Sequence, residues 1–582
     1  MDQTRRLILF IVISTVVIFG WARIFPPPAP PAPTAADSAA VAGTPAGTAR
    51  TAPPAAALAA PANAPDRIIR VTSPLYEYRF STRGAALNAA TLREYRSYVH
   101  SGESVQLVPR SARDVLARRV VVGRDTVDFR NVPFTASAAS INLREGDKPR
   151  ELTFVSANAG PVRQEITYTF HADGYLVDIR GRFTGAPRGA QLVTELGTGM
   201  APHDAKDHGT ARELNVVAWN QERVERHPLS RIQTPDTLAG PLGWAGIKDR
   251  YFLIALLNGD RGTFSRVLME PARDVKYALG PDTLISPRAR ARTVQALAAD
   301  GTFSQQAYLG PLQHARLASV GHQLEEVQPY GYRWLRPVVR PISAGVLWLL
   351  NAMHTTLGLH WGWVLIVFGF LVRLVTWPLN ARAMRSQMKN MAVQPVLQER
   401  MKAIQAEHKD DPARVNREMM ALYSELGVSP LSMMTGCVPM LIPMPVLITL
   451  FFVFQSAIEF RGEHFAWLPD LSLRDPFYIL PAFLVLSMFG LQYASARISG
   501  MEQNEQARMM MYTMPLMMGF VFFAMPSGLN LYYAATNIAS FPQQVLIAQE
   551  RRRATEAQKA EKAAKDATKS NLRSIPARRR KK

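Results

Sequence analysis

The chain has 582 residues, a net charge of +21 and one cysteine, which leaves room for several domains and excludes an internal disulfide. Its mean hydropathy of −0.04 averages over strongly apolar segments and a polar middle. No GxxxxGK(S/T), HExxH or GxSxG motif occurs, so phosphate-loop, zinc-peptidase and serine-hydrolase chemistry lack their usual local signatures.

The first apolar run, residues 7–25, follows Arg5 and Arg6 and passes straight into PPPAPPAP. It is longer than the apolar core of a signal peptide and reads as an uncleaved transmembrane anchor over 1–25. Residues 26–65 are almost entirely Ala, Pro, Thr and Gly. Such a segment buries too little apolar surface to offset its ordering entropy, which predicts a disordered tether.

Residues 66–325 have globular composition and alternate with period two, as in Ile68-Ile69-Arg70-Val71 and Tyr76-Glu77-Tyr78-Arg79-Phe80. The runs at 165–170 and 175–179 flank Ala172-Asp173-Gly174, which predicts a hairpin. Short strands repeated over this length predict a large β-sandwich. Within it, His203-Asp204-Ala205-Lys206-Asp207-His208 fits no metal spacing and reads as a solvated loop. No catalytic constellation is present.

Residues 326–358 mix Arg333, Arg336, Trp334 and Trp348 with aliphatic residues, the pattern of a helix lying in the outer interface of a membrane. Region 359–550 then holds apolar runs at 361–379, 437–457, 477–494, 510–525 and 527–548. Met525-Pro526-Ser527-Gly528 divides the last two, because Pro removes a helical donor and Ser-Gly favours a turn. With the anchor these make six spans.

Between the first two of these runs, 382–428 predicts a helical hairpin. Leu397, Met401 and Ile404 line one arm after a break at Pro395, and Val415, Met419, Leu422 and Leu426 line the other. Asp411 suits the N-cap, Pro412 the first helical position and Gly427 the stop. Met384, Met388 and Met391 add a pliant apolar flank. A self-packed hairpin and one that receives apolar segments both fit.

Lys and Arg orient the spans. Arg5 and Arg6, the basic 380–430 loop, and the tail over 551–582 with Arg551, Arg552 and Arg553 fall on one side, which six spans make the cytoplasm. Residues 26–358 then lie outside, with Arg333, Arg336 and Arg340 as exceptions to the rule. Cys437 reads as a small buried residue.

Arg373 interrupts the otherwise uncharged WGWVLIVFGFLVRLVTWPL over 361–379. A guanidinium in a bilayer costs about 2.5–3.5 kcal/mol on insertion scales. It stands six residues from Leu379, about 9 Å along a helix. It therefore either snorkels to the cytoplasmic interface or faces water held within the protein. Pro439, Pro443, Pro445 and Pro515 and the polar last span, with Asn530, Tyr532, Tyr533, Thr536 and Asn537, favour a polar groove. Tyr533 and Asn537 are four apart and share a face. Gln455 and Thr449 are candidates to join them.

GCVPMLIPMPV (436–446), DLSLRDPFYILP (470–481), PSGLNLYY (526–533) and TRGAAL (82–87), with an arginine in the second span, resemble the YidC family of bacterial membrane protein insertases in its long Gram-negative form. The resemblance implies an all-α six-span region, a five-helix insertase core plus the N-terminal anchor, beside a periplasmic β-supersandwich. It implies a hydrophilic groove open to cytoplasm and lipid. Arg373 corresponds to the family's groove arginine, Tyr532 and Tyr533 to its last-helix tyrosine pair, and the stretch around Met444 and Phe451 to its substrate-contacting helix. Pro443-Met444-Pro445 departs from the family's Gln-Met-Pro, and the stretch 429–437 is longer than its usual Pro-Leu-Gly-Gly-Cys type.

The function so implied is insertion and folding of inner-membrane proteins, alone or with the Sec translocon, without catalytic group, cofactor or metal. Nascent membrane proteins, membrane lipids and, through the basic tail, the ribosome are the implied partners. A secondary transporter binding an anionic solute at Arg373 is the alternative. It predicts an internal repeat between halves, which the sequence lacks.

Overall fold

The structure, a computed structural model, describes residues 65–573 except 100–101, 158–161, 205–212, 260–261, 280–281, 329–335, 409–410, 426–443 and 500–504. The expected anchor over 1–25, the tether over 26–65 except its last residue, Leu426, Gly427, Cys437 and most of the GCVPMLIPMPV motif lie outside the described residues.

Period-two alternation builds the first region. In the strand Tyr76–Ser81, Tyr76, Tyr78 and Phe80 are buried while Glu77 and Arg79 are not, as a pleated strand with one covered face requires. The hairpin about Ala172-Asp173-Gly174 forms, with Arg163–Phe170 antiparallel to Leu176–Thr184 and Phe170 opposite Val177. Among the described residues the strands make sheets of five, nine and six. In the nine-stranded sheet the late strand Thr302–Pro311 pairs with both Phe252–Asn258 and Leu176–Thr184. Phe252–Asn258 is buried at every position, as expected of a central strand covered on both faces. Gln191–Gly197 of the six-stranded sheet lies against Trp244–Lys248 and Phe252–Asn258 of the nine-stranded one. The result is a large β-sandwich.

A short helix, α1 (His314–Val320), closes this region. Then come α2 (Arg336–Leu357), α3 (Trp361–Glu407), α4 (Pro412–Glu425), α5 (Met444–Ser456), α6 (Ile479–Ser499), α7 (Glu505–Ala524) and α8 (Ser527–Arg573). In α2, Leu347, Leu350 and Met353 are buried while Trp348 is exposed, so the helix is amphipathic.

Two helices outrun their sequence expectations. No break occurs at Pro395: α3 runs for 47 residues through Pro378 and Pro395, about 70 Å. A proline removes one hydrogen bond and crowds the turn before it, yet intact turns on both sides let a helix bend rather than end. Helix α8 also has 47 residues, passes Pro542 and continues beyond 548 to Arg573. Much of the basic tail is therefore helical, because AQKAEKAAKDA (557–567) consists largely of strong helix formers.

Helix α4 begins at its N-cap: Oδ1 of Asp411 accepts from the backbone N–H of Ala413 (3.1 Å) and Arg414 (3.0 Å). It folds back on the end of α3, where Leu422 is buried against Met401, Ile404 and Met419. Ion pairs Arg400–Glu425 (2.8 Å) and His408–Glu418 (3.0 Å) flank that seam.

Helix α8 is the hub of the helical core and packs on α3, α5 and α6, while α7 packs on α6 and α2 on α5. Among the described residues, Trp361–Pro378 of α3 is the one stretch long and apolar enough to cross a membrane, and Ile479–Ala494 and Tyr512–Ala524 are shorter apolar helices.

Candidate functional site

Helices α3 and α8 meet at Gly369, where an added Cβ would lie 3.0 Å from the Cβ of Ala535 and from the carbonyl of Tyr532. A side chain here would push the two helices apart by a few tenths of an ångström, so glycine allows their close approach. Arg373 stands one turn further along α3, on the same face. Its side chain is half-buried, and its Nε is buried without a hydrogen-bond partner among the described residues. An unpaired buried donor is unfavourable unless water or a ligand reaches it.

Tyr532 lies within electrostatic reach of this guanidinium. It is buried, with its ring centroid 5.6 Å from Phe368 of α3, 6.1 Å from Phe454 of α5 and 5.3 Å from Tyr533. Tyr532 thus sits where α3, α5 and α8 converge, with the arginine within its electrostatic reach. Tyr533 turns toward α7, its ring 5.3 Å from Phe522. Asn537 donates Nδ2 to Oγ of Ser487 on α6 (3.2 Å). Tyr533 and Asn537 share a side of α8 as their spacing predicts, and that side faces α6 and α7.

Gln455 occupies the last turn of α5, where its carbonyl accepts from Nε of Arg250 in the β-sandwich (2.8 Å). Trp361, the first residue of α3, packs edge-on against Phe460 just past α5 (5.4 Å). Gln455 is therefore level with the start of α3. Arg373 lies twelve residues further along α3, about 18 Å along its axis, while Phe454, next to Gln455, reaches the ring of Tyr532 (6.1 Å). Thr449 is fully buried in α5. Phe451 is half-buried, packs on the helical core and lies 5.5 Å from the ring of Phe452. Met444 opens α5, and its side chain falls outside the described residues.

The motifs at 470–481 and 526–533 pack on each other. The first N–H groups of a helix lack intrahelical acceptors; in α8, Ser527 donates to the Leu473 carbonyl (2.7 Å) and Gly528 to that of Leu471 (2.8 Å). Oγ of Ser527 donates to the Asp470 carbonyl (3.0 Å). Asn530, fully buried, donates Nδ2 to the Phe522 carbonyl at the end of α7 (3.0 Å). Asp475 caps α6, accepting from the N–H of Leu480 (2.7 Å) and Phe477 (3.1 Å). These residues fix the turn from which Tyr532 follows. The signal for them in sequence is an Asp-Pro step ahead of an apolar run, which marks a helix start.

The His203-Asp204 segment departs from expectation. Instead of lying in a solvated loop, both residues are buried, and Asp204 is bound to Arg461, 257 positions away. Lys206, Asp207 and His208 lie outside the described residues. Among the described residues no group of three His, Cys, Asp or Glu side chains could hold a metal ion.

Residues 352–555 match the family model described as 60Kd inner membrane protein, and residues 68–344 match that of the YidC periplasmic domain. The membrane protein insertase YidC of Syntrophus aciditrophicus is 30% identical over 510 residues, covering 86% of this chain and 88% of that protein. That of Ralstonia nicotianae is 32% identical over 574 residues, covering 93% and 96%. A crystal structure of an active YidC insertase with its first transmembrane domain resolved is similar at 16% identity, covering 82% and 94%, with a TM-score of 0.31, too low to carry an argument. On the two family models and these full-length relatives, the chain belongs to the YidC family of membrane protein insertases.

Proposed function

We propose that Arg373 and Tyr532 form the polar floor of a wet path among α3, α5 and α8, by which this inner-membrane insertase passes short hydrophilic segments while apolar ones enter lipid. The family is one of insertases rather than an enzyme class, and nascent membrane proteins are its substrates. The observation that supports the path is the buried Nε of Arg373, without a hydrogen-bond partner among the described residues, within the apolar stretch Trp361–Pro378. Its neighbours Leu374 and Val375 are exposed, so the guanidinium stands at the border between packed protein and a lipid-facing surface.

A substrate carboxylate about 4 Å from the guanidinium gains about 1–4 kcal/mol at the dielectric of a wet groove, enough to bias capture without trapping. The substrate's apolar segment then slides past Phe451 and Met444 into lipid, driven by its own transfer free energy. Tyr533 and Asn537 line the α6–α7 side of the same core.

In this reading α3 and α5–α8 with the anchor at 1–25 make six spans, both termini are cytoplasmic, and 26–358 is periplasmic. Helix α2 lies in the outer interface, and the α3–α4 hairpin within 382–428 projects into the cytoplasm. The Sec translocon is a working partner, and the basic end of α8 meets anionic lipid or ribosomal RNA by charge.

The test depletes a host of its own insertase, supplies Arg373→Ala or Arg373→Glu, and follows insertion of a short acidic-tailed membrane protein. Arg373→Glu is expected to insert it far more slowly than the unsubstituted protein. Equal insertion by Arg373→Glu defeats the charge-attraction part of the proposal.

A further inference from the structure

The turn after α5 belongs to two cores at once. Ile458 is buried in the apolar core of the β-sandwich, and Phe460, two residues on, in that of the helices. The last carbonyls of a helix have no intrahelical donor. At the end of α5 the β-sandwich supplies donors: Nε of Arg250 to the Gln455 carbonyl (2.8 Å) and Nε2 of Gln328 to that of Ser456 (3.3 Å).

Arg461 follows. Its side chain is 2% exposed, and Nε (3.0 Å) and Nη2 (2.6 Å) donate to Oδ1 of Asp204. Nη2 also donates to the Arg96 carbonyl (3.0 Å), and the guanidinium lies 4.8 Å over Tyr98 and 5.4 Å over Phe252. Behind Asp204, Nε2 of His203 lies 3.5 Å from its Oδ2 and 2.8 Å from Oδ2 of Asp249. Oδ1 of Asp249 accepts from the N–H of Tyr251 (2.9 Å) and Phe252 (2.8 Å). The other ring nitrogen, Nδ1 of His203, lies 3.0 Å from the Ala201 carbonyl.

Both ring nitrogens of His203 therefore lie beside groups that only accept, which favours the doubly protonated imidazolium; Nε2 meets the two carboxylates as ion-pair contacts rather than as an aligned hydrogen bond. With the second proton the buried cluster holds two cations, His203 and Arg461, against two carboxylates, Asp204 and Asp249. Without that proton these four groups carry a net negative charge, and the buried carboxylate of Asp470 also faces Arg461 while the buried Lys248 adjoins Asp249.

We propose that the His203–Asp249–Asp204–Arg461 cluster is a proton-dependent joint through which the β-sandwich holds the end of α5, with Arg461 as its positioning residue. The joint sets where Phe454 stands against Tyr532. It rests on the insertase reading only in assigning α5 to the substrate path, and the experiment below reads the joint without any insertion step.

The charged and titratable groups facing His203 are Asp249 and Asp204, then Arg461 from the loop after α5. The Tyr98 and Tyr251 phenols stack under Arg461, and Lys248 turns its Nζ to the Asp249 carbonyl (2.7 Å). Burial alone would lower the pKa of His203, but the two carboxylates outweigh it and raise it above the ordinary histidine value. Burial likewise opposes ionisation of Asp249, yet His203 and the two backbone donors hold its carboxyl below the usual range. A histidine raised on closure stabilises the closed joint fully below about pH 6.5, and that contribution is lost as pH rises through the raised value.

The measurement is amide exchange of residues 456–463 in the full chain in lipid nanodiscs, from about pH 6 to about pH 9, corrected for intrinsic rate. Protection is expected to fall by up to about tenfold per pH unit above about 6.5, while the sandwich strand Leu176–Thr184 stays constant. His203→Gln is expected to be weakly protected throughout and flat with pH. Arg461→Lys, which keeps charge but loses the planar fork, is expected to lower protection at every pH and keep the slope. Flat protection in the unsubstituted protein, or an unchanged pH response in His203→Gln, overturns the joint. If His203→Gln does not fold, the profile of the unsubstituted protein decides alone.

Discussion

In the β-sandwich Arg118 is fully buried under the rings of Tyr168 and Phe303, with Nη1 donating to the Leu116 carbonyl and the Tyr168 hydroxyl, both at 2.9 Å, while its Nε and Nη2 find no acceptor among the described residues. In the helical core Arg373 also has a buried nitrogen without an acceptor among the described residues, but it stands beside Leu374 at 70% and Val375 at 68% exposure. Large exposed apolar side chains crowd the helices, among them Leu486, Leu516 and Phe520, and are few in the sandwich. The two regions are built for different solvents. A domain in water encloses its apolar groups, whereas a lipid-facing bundle turns apolar groups outward.

Four substitutions test that contrast. The largest effect is expected for Trp244→Ala in the sandwich, where the indole is fully buried and Nε1 donates to the His322 carbonyl (3.1 Å). A loss of about 3–5 kcal/mol should appear in differential scanning fluorimetry as a lowered sandwich transition, with the helical one unchanged. Gly528→Val comes next. Its Cβ would stand 3.0 Å from the Leu471 carbonyl and 3.2 Å from Cδ1 of Leu365, so overpacking should cost about 1–3 kcal/mol and slow insertion by displacing Tyr532.

Asp475→Ala removes the α6 cap and should cost about 1 kcal/mol, read as faster exchange of the Leu480 amide; Asp475→Asn, which keeps one of the two acceptor oxygens, should restore only part of it. The smallest effect is expected for Leu486→Ala, whose side chain is 69% exposed. Melting in detergent should shift by no more than about 0.5 kcal/mol, because no cavity opens. A large loss there would mean that this surface is packed rather than lipid-facing.

Sequence was most legible where interactions are local. Tyr76, Tyr78 and Phe80 announce a half-buried strand by alternation alone, and Asp411-Pro412 announces the start of α4. Arg373 stood out because an ion in an apolar run is costly wherever it lies. Its partner was harder to see. Tyr532 and Tyr533 are adjacent, yet successive helix positions differ by about 100° in direction, so one turns to α3 and α5 and the other to α7. Gln455 read as a polar member of the same span, but its height along α5 depends on where that helix ends, which the β-sandwich caps decide.

What the chain determines by itself is its division into a strand-rich polar region and apolar helical runs, the helix caps and the isolated arginine, since each follows from periodicity or from the solvation of one group. Tertiary structure alone decided that α3 passes Pro395, that motif 470–481 seats the start of α8, and that His203 and Asp204 are buried beneath Arg461. Those outcomes depend on partners distant in sequence. The stability of a proline turn or of a buried ion pair is set by what packs against it, not by its neighbours along the chain.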